Sequence, residues 1–234
     1  MEVATRLARH YVSNERKTDA ARILDFARAA LGASEPDLLH RLAEAYRLAG
    51  GTTSSEQLLA MVLEVDPRHS AAAMQLSSLW ADEGLHLAAA ERLARDAARR
   101  QPLDPLYRGN VGWVLYRSGE LEAAKDELLS AVAMSDDRDP SMPAAPGDDA
   151  GTAKPGHAHP VLLDRAGDAL YRLGDRQTAA ALWERAQRRL GDADVATTPG
   201  ADIDALRLSL PRKLQQHRTG QDVQVAAVAA GDVR

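Results

Sequence analysis

The sequence predicts an all-α solenoid, in which helix-turn-helix units stack side by side and a C-terminal helix caps the last one. Ala, Leu, Arg, Asp and Glu dominate the 234 residues, and there is one Phe and three Trp, a composition typical of helices. Four glycines recur along the chain at steps of 34, 35 and 55 residues: Gly50, Gly84, Gly119 and Gly174. A fixed step of this length is the signature of a repeat architecture.

Three further series keep the same steps as the glycines, and each has one kind of side chain. One is large and apolar: Tyr46, Trp80, Leu115 and Leu170. A second is also large: Leu59, Leu93, Leu128 and Trp183. The third is small: Ser55, Ala89, Ala124 and Ala179. Two antiparallel helices approach closely only where side chains are small, so these series predict helical hairpins with a shared internal geometry.

The pattern is most complete in GNVGWVLYRSGELEAAKDELLSAV (109–132) and LLDRAGDALYRLGDRQTAAALWERA (162–186). These segments carry small residues at Gly112 and Gly167, turn glycines, and Ala131 and Ala186 near their ends. In these features the chain resembles the tetratricopeptide repeat (TPR) family, whose unit is a helical hairpin of about 34 residues. The resemblance implies a right-handed superhelix over residues 1–193, with units at 1–35, 36–69, 70–104, 105–134 and 160–193.

The units differ in how well they keep the pattern. The first is degenerate, because Glu15 stands where the turn glycine belongs. The second ends at Pro67, where proline stops the second helix. The third is one residue longer than the second, has Ser77 at the close-contact position, and ends at Pro102.

The remaining segments lie outside the repeat. Residues 135–159 are rich in Pro, Gly and Asp, which predicts a disordered insertion loop between the fourth and fifth units. Residues 194–218 predict a capping helix with the apolar stripe Ile203, Leu206, Leu210 and Leu214. Pro211 is expected to break or kink that helix near Leu210. Residues 219–234 predict a flexible tail, although its alternating valines leave open the addition of a strand to a partner.

Composition excludes several classes of function. There is no Cys, and the net charge of −5 comes without a clustered basic face, so neither thiol chemistry nor nucleic-acid binding is expected. No apolar run is long enough for membrane insertion. No phosphate loop, Ser nucleophile elbow, zinc helix or dinucleotide motif is present, which predicts a non-enzyme without a cofactor. His157 and His159 lie in the Pro/Gly-rich loop without a preformed geometry, so no metal site is expected.

The resemblance implies a protein-interaction module that binds a peptide or helix of a partner on its concave face, which the first helices of the units line. The candidate partner-binding residues on that face are Trp113, Tyr116, Arg117, Asp168, Tyr171 and Arg172. Trp, Tyr and Arg are the types that most often anchor interfaces. The competing interpretation is that these aromatics pack between hairpins. Asn110 lacks the lysines that a clamp for chaperone C-terminal carboxylates needs.

An alternative from another class is a structural or self-associating C-terminal fragment of a larger TPR-containing assembly or cell-envelope protein. The helical pattern starts at Met1 without a cap, which favours this alternative. Assembly into a homo-oligomer is left open by the sequence. The default expectation for localisation is the cytoplasm, with the periplasm or envelope as the alternative for a truncated N-terminus.

Overall fold

The computed structural model describes residues 2–14, 16–29, 35–136, 158–192 and 201–228, and these residues form eleven α-helices without a strand. Ten of them pair into five hairpins. The pairs are α1 (Glu2–Ser13) with α2 (Lys17–Ala29), α3 (Pro36–Leu48) with α4 (Thr52–Val65), α5 (Ser70–Glu83) with α6 (Leu87–Arg100), α7 (Pro105–Arg117) with α8 (Leu121–Asp136), and α9 (Pro160–Arg172) with α10 (Arg176–Leu190). The last helix is α11 (Ala201–Arg218). The all-α solenoid of stacked hairpins is therefore confirmed.

The first helices of the hairpins lie on the inner side of the stack. α1 contacts α3, α5 contacts α7 and α7 contacts α9, whereas no two consecutive second helices share a comparable contact in the described part of the chain. Closer spacing on one side bends a stack toward that side. The concave surface of α3, α5, α7 and α9 is called the groove below.

The turn glycines have the backbone geometry that the repeat requires. Gly50, Gly84, Gly119 and Gly174 have φ values of 82°, 70°, 87° and 92°. This left-handed region is open to Gly without the Cβ penalty that other residues incur. The four glycines are therefore structural.

Two further glycines create close contacts inside hairpins. A Cβ on Gly112 would lie 2.7 Å from Leu128 Cγ, and one on Gly167 would lie 2.5 Å from Trp183 Nε1. Both positions also lie 3.2 Å from a backbone carbonyl of the facing helix, at Ala124 and Ala179 respectively. The predicted close approach is confirmed in the fourth and fifth units.

The register predicted for the third unit is wrong by one residue after the turn. Ala90 and Ala94 are buried on α6, whereas Ala89 and Leu93 are only partly buried. Two residues, Leu85 and His86, separate the turn Gly84 from the start of α6, whereas one residue follows the turn glycine in the other units, and His86 has a φ of 50°. Because the extra residue precedes α6, the whole helix is shifted along the repeat by one position.

The junction that carries the insertion brings its two ends together. Asp136 Oδ1 at the end of α8 accepts the Ala158 backbone N–H at 3.1 Å, and Arg185 of α10 also pairs with Asp136. The fifth hairpin therefore stacks directly on the fourth. The prediction of a disordered loop over 135–159 is wrong at its edges, because residues 135 and 136 belong to α8 and residues 158 and 159 pack at the start of α9; residues 137–157 lie outside the described residues.

The C-terminal helix differs from its prediction at Pro211. Ile203, Leu206, Leu210 and Leu214 are buried, as the apolar stripe predicts. The helix nevertheless runs through Pro211 to Arg218 without a break. The proline ring is exposed, and buried leucines on both sides of it hold the helix against α9 and α10.

The chain after α11 turns back and runs as an extended segment. Gly220, with a φ of 69°, ends the helix, and the Gln221 N–H donates to the Gln216 carbonyl at 2.9 Å. Val223 is buried, and Val225, Ala226 and Val228 pack against the core. Residues 221–228 thus lie on the fold where a flexible tail was expected, and 229–234 lie outside the described residues. Residues 201–228 are called the C-terminal segment below.

Among the described helices, none combines the length and apolar content that crossing a bilayer requires.

Candidate partner-binding groove

The groove holds the C-terminal segment. α11 packs on α9 and α10, and its first turn reaches α3, which belongs to the second unit. The extended residues 221–228 lie along the C-terminal ends of α7 and α9. The candidate binding face is therefore occupied by the chain itself.

On α7, Trp113 and Tyr116 form a buried aromatic pair. Their rings stack with centroids 5.2 Å apart and planes 8° from parallel. Trp113 Nε1 donates to Asp82 of α5 at 2.7 Å, and the Arg165 guanidinium of α9 lies 4.6 Å from the Trp113 ring centroid. A cation above an indole ring is attracted by its negative face. The pair thus joins three first helices.

On α9, Asp168 is the polar centre of the groove, although its side chain is only 1% exposed. Its Oδ1 accepts from Trp183 Nε1 at 3.1 Å and from Lys213 Nζ at 2.5 Å. Its Oδ2 accepts the Ala226 backbone N–H at 3.1 Å. Burial, and next the neighbouring Asp164, raise the pKa of Asp168 to about 6, although Lys213 acts in the opposite direction.

Lys213 of α11 is a buried cation, with 6% of its surface exposed. Besides Asp168, its Nζ contacts Asp164 Oδ1 at 2.8 Å. Burial lowers the pKa of Lys213, but the two carboxylates outweigh that effect and hold its pKa above the usual value. The ammonium therefore bridges two turns of α9 to α11.

The extended residues are held mainly by their backbone. The Ala226 carbonyl accepts from the Tyr116 hydroxyl and from Arg172 Nη2, the latter at 3.0 Å. The Val223 N–H donates to the Tyr171 hydroxyl at 2.8 Å. Together with Asp168, three further side chains of α7 and α9 thus bind main-chain donors and acceptors, which every peptide has. Tyr171 also donates to Asp222 at 2.6 Å.

At the other end of α11, Asp202 lies between two arginines. Arg47 Nη1 of α3 donates to its Oδ1 at 2.6 Å, and Arg165 Nη2 lies 3.8 Å from its Oδ2. Burial alone would raise the pKa of Asp202, but the two guanidinium groups outweigh burial and lower it. Nearby, desolvation by the surrounding helices raises the pKa of Asp82, although part of its surface is still open to solvent.

Two cavities remain between the C-terminal segment and the groove. One, of about 500 Å³, lies among α3, α5, α7 and α9 beside the first turn of α11. The other, of about 420 Å³, lies between α11 and residues 224–226 and is lined by Trp113, Asp168 and Lys213. The segment therefore fills the groove only in part.

The structure places the six candidate residues close together. Four of them contact the C-terminal segment: Tyr116, Asp168, Tyr171 and Arg172. Trp113 lines the adjacent cavity, and Arg117 lies over the Trp113 ring at 5.7 Å. Whether they bind a partner stays a prediction. Trp113 and Tyr116 are also core residues, so their replacement by Ala would test stability as much as binding.

Sequence reasoning missed Lys213 and Asp202, which fasten the C-terminal segment. For Lys213 there was a signal, because it falls three residues after Leu210 on the apolar stripe of α11, where a cation needs a buried partner. Asp202 carried no such signal. Asn110 is buried and donates to Ser77 Oγ of α5 at 2.7 Å, so it joins neighbouring units.

Among the described residues, no group of three or more His, Asp or Glu side chains has the arrangement of a metal site. His157 lies outside the described residues.

Several solved structures are similar to this chain at low sequence identity. A thermophilic TPR protein of Thermus thermophilus has 17% identity and a TM-score of 0.60, covering 88% of this chain and 98% of its own. TPR-like repeats of a putative kinesin light chain from Podospora anserina have 18% identity and a TM-score of 0.57, covering 81% and 93%. MamA from Desulfovibrio magneticus RS-1, from residue 41 to its end, has 15% identity and a TM-score of 0.54, covering 82% and 96%. No family model and no curated protein matches the sequence.

Proposed function

Given that the chain has the tetratricopeptide-repeat fold, which is a fold of interaction scaffolds, we propose that it binds an extended peptide of a partner protein in the groove. The peptide lies along the C-terminal ends of α7 and α9. Its principal contacts are Tyr116, Asp168, Tyr171 and Arg172.

One observation carries this proposal: the groove binds the main chain of an extended segment. Asp168 accepts an N–H of that segment, and Tyr116 and Arg172 donate to one of its carbonyls. Backbone groups supply affinity in extended-peptide recognition, while pockets for side chains supply specificity. The buried position of Val223 and the cavity beside Trp113 are two such pockets.

The polar groups of the groove support binding without catalysis. Asp168 and Asp164 are engaged by Lys213, and Asp202 is engaged by Arg47. Carboxylates held in this way are committed to ion pairs. We therefore propose that the chain acts by binding alone.

The test is site-specific photocrosslinking in cells that produce the protein. A benzophenone amino acid replaces Tyr171 in the groove or Gln187 on the exposed side of α10. We expect the groove probe to crosslink to a discrete segment of another protein, which mass spectrometry maps, and the α10 probe to leave that segment unlabelled.

Equal labelling of the same segment from Gln187 would contradict the proposal. So would a groove probe that crosslinks only within its own chain. A matched pair of hydroxyl deletions adds a second readout. Tyr171→Phe is expected to weaken capture of the mapped segment, whereas Tyr11→Phe, in the distant first hairpin, is expected to leave it unchanged.

A second candidate function is self-association, and the first hairpin favours it. Val3 of α1 and Phe26 of α2 are 77% and 80% exposed, and Leu7, one turn after Val3, is also exposed. Large apolar side chains grouped on one unit are typical of an interface. Sedimentation velocity tests this candidate: a dimer of the wild type that Phe26→Ser converts to a monomer supports it, and a monomer at all concentrations contradicts it.

A further inference from the structure

The C-terminal segment is bound to the groove by the kinds of contact that bind a ligand. It belongs to the same chain, yet it reaches α3, α7 and α9 through polar groups at separate points. Ion pairs at two of its residues, Asp202 and Lys213, fix its helix, and backbone hydrogen bonds fix its extended part. The apolar stripe of α11 supplies the rest of the contact.

The segment leaves part of the groove open, since clefts of about 500 and about 420 Å³ flank it on its groove side. The pair of Arg47 and Asp202 is partly exposed and therefore contributes little net stability. The buried pairs of Lys213 with Asp164 and Asp168 also add little, because desolvation offsets much of their Coulombic attraction. These features favour an element that docks in a defined place and can leave it.

We propose that the C-terminal segment is an intramolecular competitor of the partner, and that the partner resembles it chemically. This inference rests on the proposed function, because it states which peptide the groove accepts and what must leave first. The partner carries a cation that takes the place of Lys213 between Asp164 and Asp168. Beyond the cation it carries an extended stretch with an apolar side chain at the place of Val223 and a small one at the place of Ala226.

Each element of this chemistry follows from a contact. Asp164 and Asp168 leave two carboxylates in a mostly buried site once Lys213 departs, so an incoming cation restores the lost pairing. Asp168 Oδ2 requires a backbone N–H, and Tyr116 with Arg172 requires a carbonyl. A small side chain is needed at the place of Ala226, because its backbone is held against α7 and α9 at once.

Competition within one chain has a predictable effect on affinity. A tethered segment acts at an effective concentration on the order of millimolar, and it lowers the apparent affinity of the partner by the fraction of chains with an open groove. Weakening the tethered segment without altering α3–α9 therefore raises the affinity for an added peptide. We expect an increase of about tenfold or more.

The experiment uses the full chain and a fluorescein-labelled peptide of residues 201–228, followed by fluorescence anisotropy. The release variant carries Asp202→Ala and Lys213→Ala, which remove the ion pairs at both residues of the chain's own segment and leave the side chains of the groove unchanged. The control variant carries Asp204→Ala and Lys125→Ala, which remove an exposed aspartate of α11 and a lysine that pairs at the surface of α8. Circular dichroism and urea unfolding establish that all variants are folded.

We expect the release variant to bind the peptide about tenfold or more tightly than the wild type, with the control variant equal to the wild type. Adding Tyr171→Phe to the release variant is expected to reverse most of the gain. If wild type and release variant bind the peptide equally and Tyr171→Phe weakens both, competition is overturned and the proposed function stands. If no variant binds the peptide, the groove does not accept this chemistry, and both proposals are overturned.

Discussion

At the residue scale, Gly167 connects the packing of a hairpin to the groove. Because Gly167 has no side chain, the Trp183 ring lies against its backbone, and Trp183 Nε1 donates to Asp168 at 3.1 Å. Asp168 in turn holds Lys213 and the Ala226 N–H. The glycine that close helix packing requires at position 167 thus also positions the Asp168 carboxylate, which binds the C-terminal segment.

Gly167→Ala is expected to lower the free energy of unfolding by about 1–3 kcal/mol, because the new Cβ would lie 2.5 Å from Trp183 Nε1 and 2.7 Å from Trp183 Cδ1. Urea denaturation measures the change. The matched control is Gly191→Ala, since Gly191 has a φ of −86° and its nearest neighbour is the Arg188 carbonyl at 3.3 Å. Equal effects of the two substitutions would contradict the role of close packing at Gly167.

Asp168 also predicts a pH dependence of stability. Its pKa is about 6 in the folded chain against an ordinary value of 3.8, so between these values the folded state binds more protons than the unfolded state. The contribution of this group to stability is therefore full below pH 3.8 and is lost as the pH rises through about 6.

We expect the stability of wild type relative to Asp168→Asn to fall between about pH 4 and about pH 7, because the asparagine does not titrate. Denaturant unfolding of both proteins at a series of pH values measures the difference between their free energies of unfolding. The titration of the other ionisable groups is common to both proteins and cancels in this difference. A difference that is independent of pH would show that Asp168 does not titrate in this range.

At the element scale, the hairpins were predictable and the placement of the C-terminal segment was not. The hairpins repeat, and their small and turn residues obey constraints that act within about 34 residues, so the sequence carries each constraint several times. The turn of the third unit breaks the spacing, and its shift was missed because Leu93 preserved an apparent match. Residues 221–228 occur once, and the residues that bind them lie far away in sequence, on α7 and α9. No periodicity in the sequence therefore predicts where they lie.

The corrected register of α6 predicts different costs for two adjacent substitutions. Ala90→Leu is expected to lower the free energy of unfolding by about 1–3 kcal/mol, because Ala90 faces α5 in a fully buried position. Ala89→Leu is expected to cost less than about 0.5 kcal/mol, since Ala89 is partly exposed. Thermal or urea unfolding of both variants checks this. A larger loss of stability for Ala89→Leu than for Ala90→Leu would support the register predicted from the spacing instead.

At the scale of the whole molecule, the C-terminal segment turns an open stack into a closed one. Asp202 joins α11 to the second unit through Arg47, and Lys213 joins it to the fifth through Asp164 and Asp168. A solenoid of this kind ordinarily has contacts only between neighbouring units. Here the groove that would receive a partner is also the place where distant units meet.

The pairing of Arg47 with Asp202 predicts energetic coupling between the second unit and α11. In a double-mutant cycle of Arg47→Ala and Asp202→Ala, we expect a coupling free energy of about 1 kcal/mol in unfolding, modest because both side chains are partly exposed. The same cycle with Arg95 and Glu91, which pair within α6, is the local comparison. Additive effects of Arg47→Ala and Asp202→Ala would mean that the pair does not link the two regions.

The contact between Arg47 and Asp202 joins residues 155 positions apart, and this has a consequence for how the chain folds. Arrays with only local contacts fold quickly and open unit by unit from their ends. A contact of such high sequence separation raises the contact order of the chain. It also slows folding, because the entropy of closing a long loop is lost before the contact forms. With the C-terminal segment docked, the units from α3 to α10 should therefore open together in hydrogen exchange, while α1 and α2, which lie outside the loop closed by this contact, fray on their own.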